Sequence, residues 1–497
     1  VGNYITFPEL LLWLPLVAGI IAFFLKKPGS AKAWAILSSL IILGVSVASL
    51  FFADDVKYAS FNKVNYYWLK YIGNSFYLVL DSTGRLLTFL TALSFPIIFI
   101  STQQNNYKNP NSFYGLMLLT QAGLMGVFLA WDALVFYFFW ELALIPVYFL
   151  CSMWGGEKRI QATFKFFVYT FAGSLLMLIG IIYVYLHTPE RVFDDGHISQ
   201  HSFALQSFMH AVLSKGEQTW LFWLFFAAFA IKMPVFPFHT WQPDTYDQSP
   251  TSVTMVLSGV MVKMGLFGVI RWLMPVLPDA SLQFANVVIV LSIIGILYAS
   301  FIAIKQDNIK KLIAYSSIAH IGLMSAALFA NNEMSVQGVY LQMFSHGINI
   351  IGMWIVVDML EKQTGAKHIS QLSGVAHKAP ALTIFLVIIA LANIALPLTN
   401  AFVGEFLMFG GLYKANVWYA VVAGFGIILA AVYTLRMIQK VFYGESNALT
   451  QNMQDISLGQ KFALGVIVVF IFGLGIMPQP LIELTKEAVN GLLAIKK

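Results

Sequence analysis

The sequence predicts an all-α polytopic membrane protein of about fourteen transmembrane helices, with two inverted five-helix repeats and two broken helices. Three observations lead there. Of 497 residues, 59% are hydrophobic and only 10% are Asp, Glu, Lys or Arg. Soluble chains run near about 25% charged, so no soluble fold of this size could cover its exterior with so little polar material. Apolar runs of about 20 residues then follow one another, with no polar stretch long enough to build a soluble core. Finally, prolines interrupt two of the runs, one in mid-chain and one late, and an ionisable residue stands near each interruption.

In chain order the runs lie near 8–25, 33–53, 84–102, 112–131, 133–154, 161–187 and 219–239, then 249–274, 285–304, 309–330, 334–361, 381–412, 415–441 and 461–482. The first, Pro8 to Leu25, is long enough to span, and with no basic n-region or A-x-A-like site beside it reads as a helix rather than a cleaved leader. Between runs two and three, residues 54–83 hold Tyr58, Phe61, Tyr66, Tyr67, Trp68 and Tyr71, which suits a strand or an interfacial segment at the lipid headgroups. Residues 188–218 are polar and contain His197, His201 and His210 at a spacing that matches no zinc signature, so a solvated loop is expected. An organisation follows: 1–111 as three N-terminal helices with an interfacial loop, 112–274 as the first repeat, 285–441 as the second, and 442–497 as a C-terminal helix.

An even number of spans puts both termini on one side. About fifteen Lys and Arg residues then fall in loops on the opposite side, including Lys26/Lys27/Lys32, Lys158/Arg159 and Lys305/Lys310/Lys311, against about eleven on the side of the termini. The richer side should be cytoplasmic, and the termini should face outward. The formal charge of +6 comes with no basic run or face, which argues against a nucleic-acid partner. The single cysteine, Cys151, excludes a disulfide framework or a cysteine-ligated cluster within this chain and reads as an inert buried thiol. No GxGxxG after a strand and no phosphate-cradling loop is present either.

Ionisable groups at bilayer depth cost roughly 2.5–3.5 kcal/mol each even on a lenient scale, so those retained there are candidates for function. Glu141 lies in Phe139-Trp140-Glu141, upstream of Pro146, which deprives the Leu142 carbonyl of its helical partner. Lys232 lies in Ala230-Ile231-Lys232-Met233-Pro234-Val235-Phe236-Pro237, where Pro234 and Pro237 must break the helix and should free the carbonyls of Ala230 and Met233. Lys263 is near mid-span, and His320 and His346 occupy successive spans among Tyr315, Ser316, Ser317, Gln342, Ser345 and Asn349. Pro397 breaks the long 381–412 run, and Glu405 follows it. Plainer readings stand beside each: a protonated Glu141 bonded between helices, a static Glu141–Lys232 pair, packed histidines. A different class, a membrane redox enzyme with His320 and His346 as haem ligands, is a further alternative. Counting from the starts of the two five-span units, Lys232 and Glu405 are each about 120 residues in, which is consistent with repeated halves.

From about Trp68 to Tyr443 the chain resembles the antiporter-like subunits of respiratory complex I, the M type in particular. The resemblance is carried by Leu80-Asp81, by the Glu141 and Lys232 segments with His239-Thr240-Trp241, by Asp307-Asn308-Ile309-Lys310-Lys311-Leu312-Ile313-Ala314-Tyr315-Ser316-Ser317, and by Phe402-Val403-Gly404-Glu405-Phe406. It implies the fourteen-helix fold with two inverted repeats, and a proton channel half-way up the membrane. In that channel Glu141 pairs with Lys232, Lys263 is central, His320 and His346 connect, and Glu405 is terminal. Lysine is usual at this last position in the related L and N types and in Mrp antiporters, so glutamate favours the M type. The resemblance further implies an inner-membrane subunit of a proton-translocating NADH:quinone oxidoreductase, with L- and N-type subunits as neighbours. Flavin, iron–sulfur clusters and quinone would belong to partner subunits, with no cofactor or redox chemistry in this chain. A multisubunit Mrp-type cation/proton antiporter is the alternative assembly.

Overall fold

The computed structural model describes residues 5–27, 29–52, 60–192 and 198–495. Tyr58 and His197 lie outside them. Among the described residues, twelve helices are long and apolar enough to cross a membrane without interruption, from Phe7–Phe24 to Leu458–Ile476. The remaining two runs, 219–239 and 381–412, are each divided. Lys215–Lys232 is followed by Trp241–Gln248, and Pro380–Asn393 by Asn400–Ala415.

Local chemistry sets the boundaries. The close junction at 131–133 is cut by Asp132, whose side chain accepts from the N–H groups of Leu134 and Val135 and starts Ala133–Trp154. The same carboxylate accepts from Asn74 Nδ2 at 2.7 Å and Ser75 N at 3.2 Å, tying the helix to an antiparallel hairpin of Lys63–Leu69 and Asn74–Val79. That hairpin is the strand expected between runs two and three. Its Tyr66 hydroxyl donates to Glu9 at 2.6 Å, while Tyr71 is fully exposed. Capping boxes at Thr6/Glu9, Ser214/Glu217 and Ser457/Gln460 start three further helices by satisfying two orphan donors each.

Two departures from the sequence expectation stand out. The 188–218 segment is more than a solvated loop. It contains a two-residue strand pair, a short helix Leu205–Met209 and the first turn of Lys215–Lys232, and its His201 and His210 hydrogen-bond backbone carbonyls. At the other end, the run expected over 461–482 stops at Ile476, and a separate helix, Gln479–Ala494, follows. Its apolar residues Leu481, Val489 and Leu492 are buried on one face, with charged residues opposite, so it falls short of a spanning hydropathy and reads as an interfacial amphipathic helix.

The helices are layered. Thr251–Val276, Ile309–Ala330 and Glu333–Thr364 are buried almost throughout, with Ser82–Ser101 and Pro110–Leu129 against them. Arg159–Leu186 shows the opposite pattern, an outward stripe of Ile160, Phe164, Val168, Phe171, Leu175, Ile179, Ile182 and Leu186 at helical spacing for lipid contact. The central helix Thr251–Val276 contains two π-helical turns, Leu257–Met261 and Val269–Leu273, on either side of Lys263. Widened turns of this kind are rare in helices and gather at functional sites.

A buried line of charged and polar groups

Lys232 is the last residue of the helix before the first break, and it is 2% exposed. The break does not leave the Ala230 carbonyl free as proline content alone suggests. Val235 N donates to Ala230 O at 3.0 Å, across one residue more than an α-helical bond, and the Trp241 indole donates to Ile231 O at 2.9 Å. Buried backbone groups at bilayer depth require partners, and the two residues beyond the break supply them. The ammonium itself has no hydrogen-bond partner among the described residues and faces the rings of Trp140 and Phe166 at 5.5 and 5.9 Å. Glu141, half-buried on Ala133–Trp154, presents an oxygen that is likewise unbonded. Trp140, which the ammonium faces, donates its Nε1–H to Ser174 Oγ at 3.2 Å, and no ion pair joins Lys232 to Glu141.

A second set of groups is bonded in two stretches that meet at a pair of histidine rings. Lys263 is wholly buried, and its Nζ lies 2.9 Å from Ser258 O, in the first π turn, and 2.9 Å from His346 Nδ1. The other ring nitrogen of His346 lies 3.3 Å from Ser317 Oγ. Both ring nitrogens of His346 thus have partners within the chain. The His346 and His320 rings are 5.7 Å apart between centroids, and His320 Nδ1 lies 3.2 Å from Glu405 Oε1. Gln342 Nε2 donates to the same carboxylate oxygen at 3.3 Å. Lys263, His346, His320 and Glu405 therefore form one buried line across three helices and the second broken one.

The second break is held differently from the first. Ala395 and Leu398, either side of Leu396-Pro397, adopt φ of 56° and 72°, a left-handed backbone unusual for residues with a side chain. Reciprocal amide bonds between Asn349 and Asn400, at 3.0 and 3.1 Å, fasten the start of the following half-helix to Glu333–Thr364. Beside His320 and Glu405 lies a cavity of about 30 Å³ whose wall includes Tyr433, large enough for a water molecule.

Several further groups join the arrangement. Lys165 Nζ donates to Thr240 O at 2.7 Å and to Asp244 at 2.9 Å, and Lys311 meets the other Asp244 oxygen at 3.3 Å. Lys165, Asp244, Asp247 and Lys311 line a polar cavity of about 540 Å³ on the far side of the first break. Near the opposite membrane face Arg271 grips both oxygens of Asp81, at 2.8 and 2.7 Å, under the rings of Trp131 and Phe267. Arg271 was legible as a cation inside the 249–274 run. Asp244 and Ser258 were not, because folding alone brings them to the charges, whereas Ser317 stood among the polar residues expected beside the histidines.

Residues 130–430 match the family described as NADH:quinone oxidoreductase/Mrp antiporter, transmembrane. Among curated relatives, the NADH-quinone oxidoreductase subunit M of Rickettsia prowazekii is 35% identical over 490 residues, covering 97% of each chain. Among solved structures, a chain of respiratory complex I from Thermus thermophilus with bound NADH superposes with a TM-score of 0.88 at 26% identity, over 98% of this chain and 99% of that one. A chain of the Mrp complex from Dietzia shares the fold, at a TM-score of 0.85 and 19% identity, over 99% of each. This chain belongs to the membrane-embedded family shared by NADH:quinone oxidoreductases and Mrp antiporters.

Proposed function

We propose that this chain is the M-type proton-translocating subunit of a quinone-reducing respiratory complex, and that the buried line Lys263–His346–His320–Glu405 conducts the proton. That line is the single observation that carries the reading. Buried charges are retained in a membrane only at a cost, and here they are connected to one another rather than scattered. Lys232 and Glu141 form the switch at its head. When Glu141 stands close and charged, it holds a proton on Lys232, and when it withdraws or is neutralised the proton leaves toward Lys263.

The magnitudes suit such a switch. Two unit charges at about 4 Å in an effective dielectric of 20 interact by about 4 kcal/mol. Moving one charge against 100 mV takes about 2.3 kcal/mol. Forming and breaking one partly buried pair is therefore enough to move a proton against the membrane potential. The lack of an ion pair between Lys232 and Glu141 corresponds to the open arm of that cycle, and the step between the two histidine rings, 5.7 Å apart, is of a size for side-chain motion.

In this reading 112–274 and 285–441 are the two inverted repeats, each with one broken helix. Electrons pass elsewhere: flavin, iron–sulfur clusters and quinone belong to partner subunits, with L- and N-type subunits as membrane neighbours. The chain sits in a bacterial inner membrane with its termini on the periplasmic side. Full-length identity to an M-type relative and the glutamate at position 405 favour this assembly over an Mrp antiporter. Extraction in mild detergent tests it. Flavin- and iron–sulfur-bearing polypeptides should co-purify with the chain, and a partner set of small antiporter subunits alone would overturn the assignment.

A further inference from the structure

Tyr433 has no part in the proton line, yet it stands beside the end of it. It is buried on Val417–Phe442 and forms part of the wall of the small cavity at His320 and Glu405. Its hydroxyl donates to Ser316 Oγ at 3.0 Å, and Asn393 Nδ2 donates to the same oxygen at 3.4 Å. Ser316 thus accepts both bonds. The Tyr433 hydrogen is committed to it, and the phenol oxygen presents only lone pairs elsewhere.

Ser316 and His320 lie four residues apart on Ile309–Ala330, so their side chains share one face about 5–6 Å apart. A water with two hydrogen bonds of about 2.8 Å bridges a separation of that order. His320 also lines the cavity. Its Nδ1 faces Glu405 Oε1 at 3.2 Å, while its Nε2 is buried with no hydrogen-bond partner among the described residues. A buried polar atom is costly unless it is satisfied, and a cavity of about 30 Å³ with polar groups on its wall suits one water.

We propose that this cavity holds one ordered water joining His320 Nε2 to Tyr433 and Glu405, and that Tyr433, through this water, fixes which nitrogen of His320 passes the proton. The phenol oxygen and the charged carboxylate can only accept, so the water gives them its two hydrogens and accepts from His320 Nε2–H. The bond made at one ring nitrogen sets the state of the other. Nε2 therefore keeps its proton, and Nδ1 carries the one that moves. In that step the Nδ1–H bond of a charged His320 breaks and an O–H bond forms on Glu405, leaving a neutral Nε2–H ring and a neutral carboxyl. Tyr433 is a positioning residue, acting on His320 through the water. This consequence rests on the proton-conducting reading of the line, whereas the water site does not.

Cryo-electron microscopy of the assembled complex, at a resolution that shows ordered water, tests the site. Wild type should show one density within hydrogen-bonding reach of His320 Nε2 and Tyr433 Oη. Tyr433→Phe, which removes an acceptor, and Ala430→Val, which narrows the cavity while keeping Tyr433, should each lose it. Infrared spectra with isotope-labelled histidine, referenced to His320→Gln, read the tautomer. The neutral ring should be Nε2–H in wild type and a mixture in both variants. Pumping by both should fall at least about tenfold, as in other sites whose histidine is left in the wrong tautomer. No water in wild type, a water that survives Tyr433→Phe, or an Nδ1–H ring in wild type would overturn the proposal. Loss of the water with unchanged pumping would overturn the positioning role. A wild-type complex that holds the water and does not pump would instead contradict proton conduction and leave the site standing.

Discussion

Lys263 is held by a backbone carbonyl and a ring nitrogen of His346 rather than by a carboxylate. Glu405 is the first carboxylate along that line. Glu405→Gln keeps an acceptor for Gln342 and removes only the charge facing His320. Proton pumping by the assembled complex should fall at least about tenfold, the low end of what a positioned acid or base contributes. Fluorescence quenching of a pH dye in inverted vesicles checks this. At the same scale, Asp81→Asn separates two roles of one residue: the amide can still cap Ser82–Ser101 through Gly84 N but cannot neutralise Arg271. Breaking a well-buried pair costs about 3–5 kcal/mol, and with Asp81 about a quarter exposed the loss should be nearer 2 kcal/mol. Thermal unfolding in detergent reads it, with Asp81→Ala expected to lose about 1 kcal/mol more from the missing cap.

At the scale of elements, the two helix breaks were legible as prolines, but their construction was not. A sequence shows which N–H groups are missing and not which donors will arrive, so the Trp241 indole at Ile231 O and the Val235 N–H at Ala230 O emerged only with the fold. The break also sorts the charges: Lys232 ends the half-helix before it, whereas Glu405 lies in the half-helix after the second break. Equal spacing along the chain thus does not place the two residues alike relative to their breaks. Gly265 shows how closely the central helix presses on the first break, since a Cβ there would meet Phe229 O and Met233 Cβ at 2.6 Å and Met233 N at 2.7 Å. Gly→Ala inside a helix ordinarily gains up to about 1 kcal/mol. Here overpacking against backbone should reverse the sign, and Gly265→Ala is expected to destabilise by about 1–3 kcal/mol in detergent melts and to reduce pumping through Lys232.

The loop that enters Ile309–Ala330 offers a pH-dependent contact outside the membrane. Burial raises the Asp307 carboxyl, but the Ser370 hydroxyl and N–H, together with His368, outweigh it and hold the group below the ordinary carboxylate range. A depressed value means that the contact stabilises above the unfolded value, near pH 4, and is lost as pH falls through the folded one. Asp307→Asn should therefore melt lower than wild type at pH 7, with the difference closing as the pH is taken below about 4. A difference that grew on acidification would contradict this sign.

For the whole molecule, the scarcity of charge that fixed the fold class also made the functional groups visible. Glu141, Lys232, Lys263 and Glu405 could be picked out because so little else inside the spans is ionisable. What the sequence could not supply was adjacency: that His346 bridges Lys263 and Ser317, or that Asp244 joins Lys165 to Lys311 above a polar cavity. These partners lie on helices far apart in sequence and meet only through packing. The amphipathic helix Gln479–Ala494 was hidden for the converse reason, because its charged face masked it from any search for continuous apolar runs. The central claim is that charge held on Lys232 drives transfer along the buried line. Proton pumping coupled to quinone reduction in vesicles carrying Lys232→Ala in the assembled complex tests it most directly. The account predicts that pumping falls at least about tenfold while the complex remains assembled, and pumping at the wild-type level by that variant would contradict it.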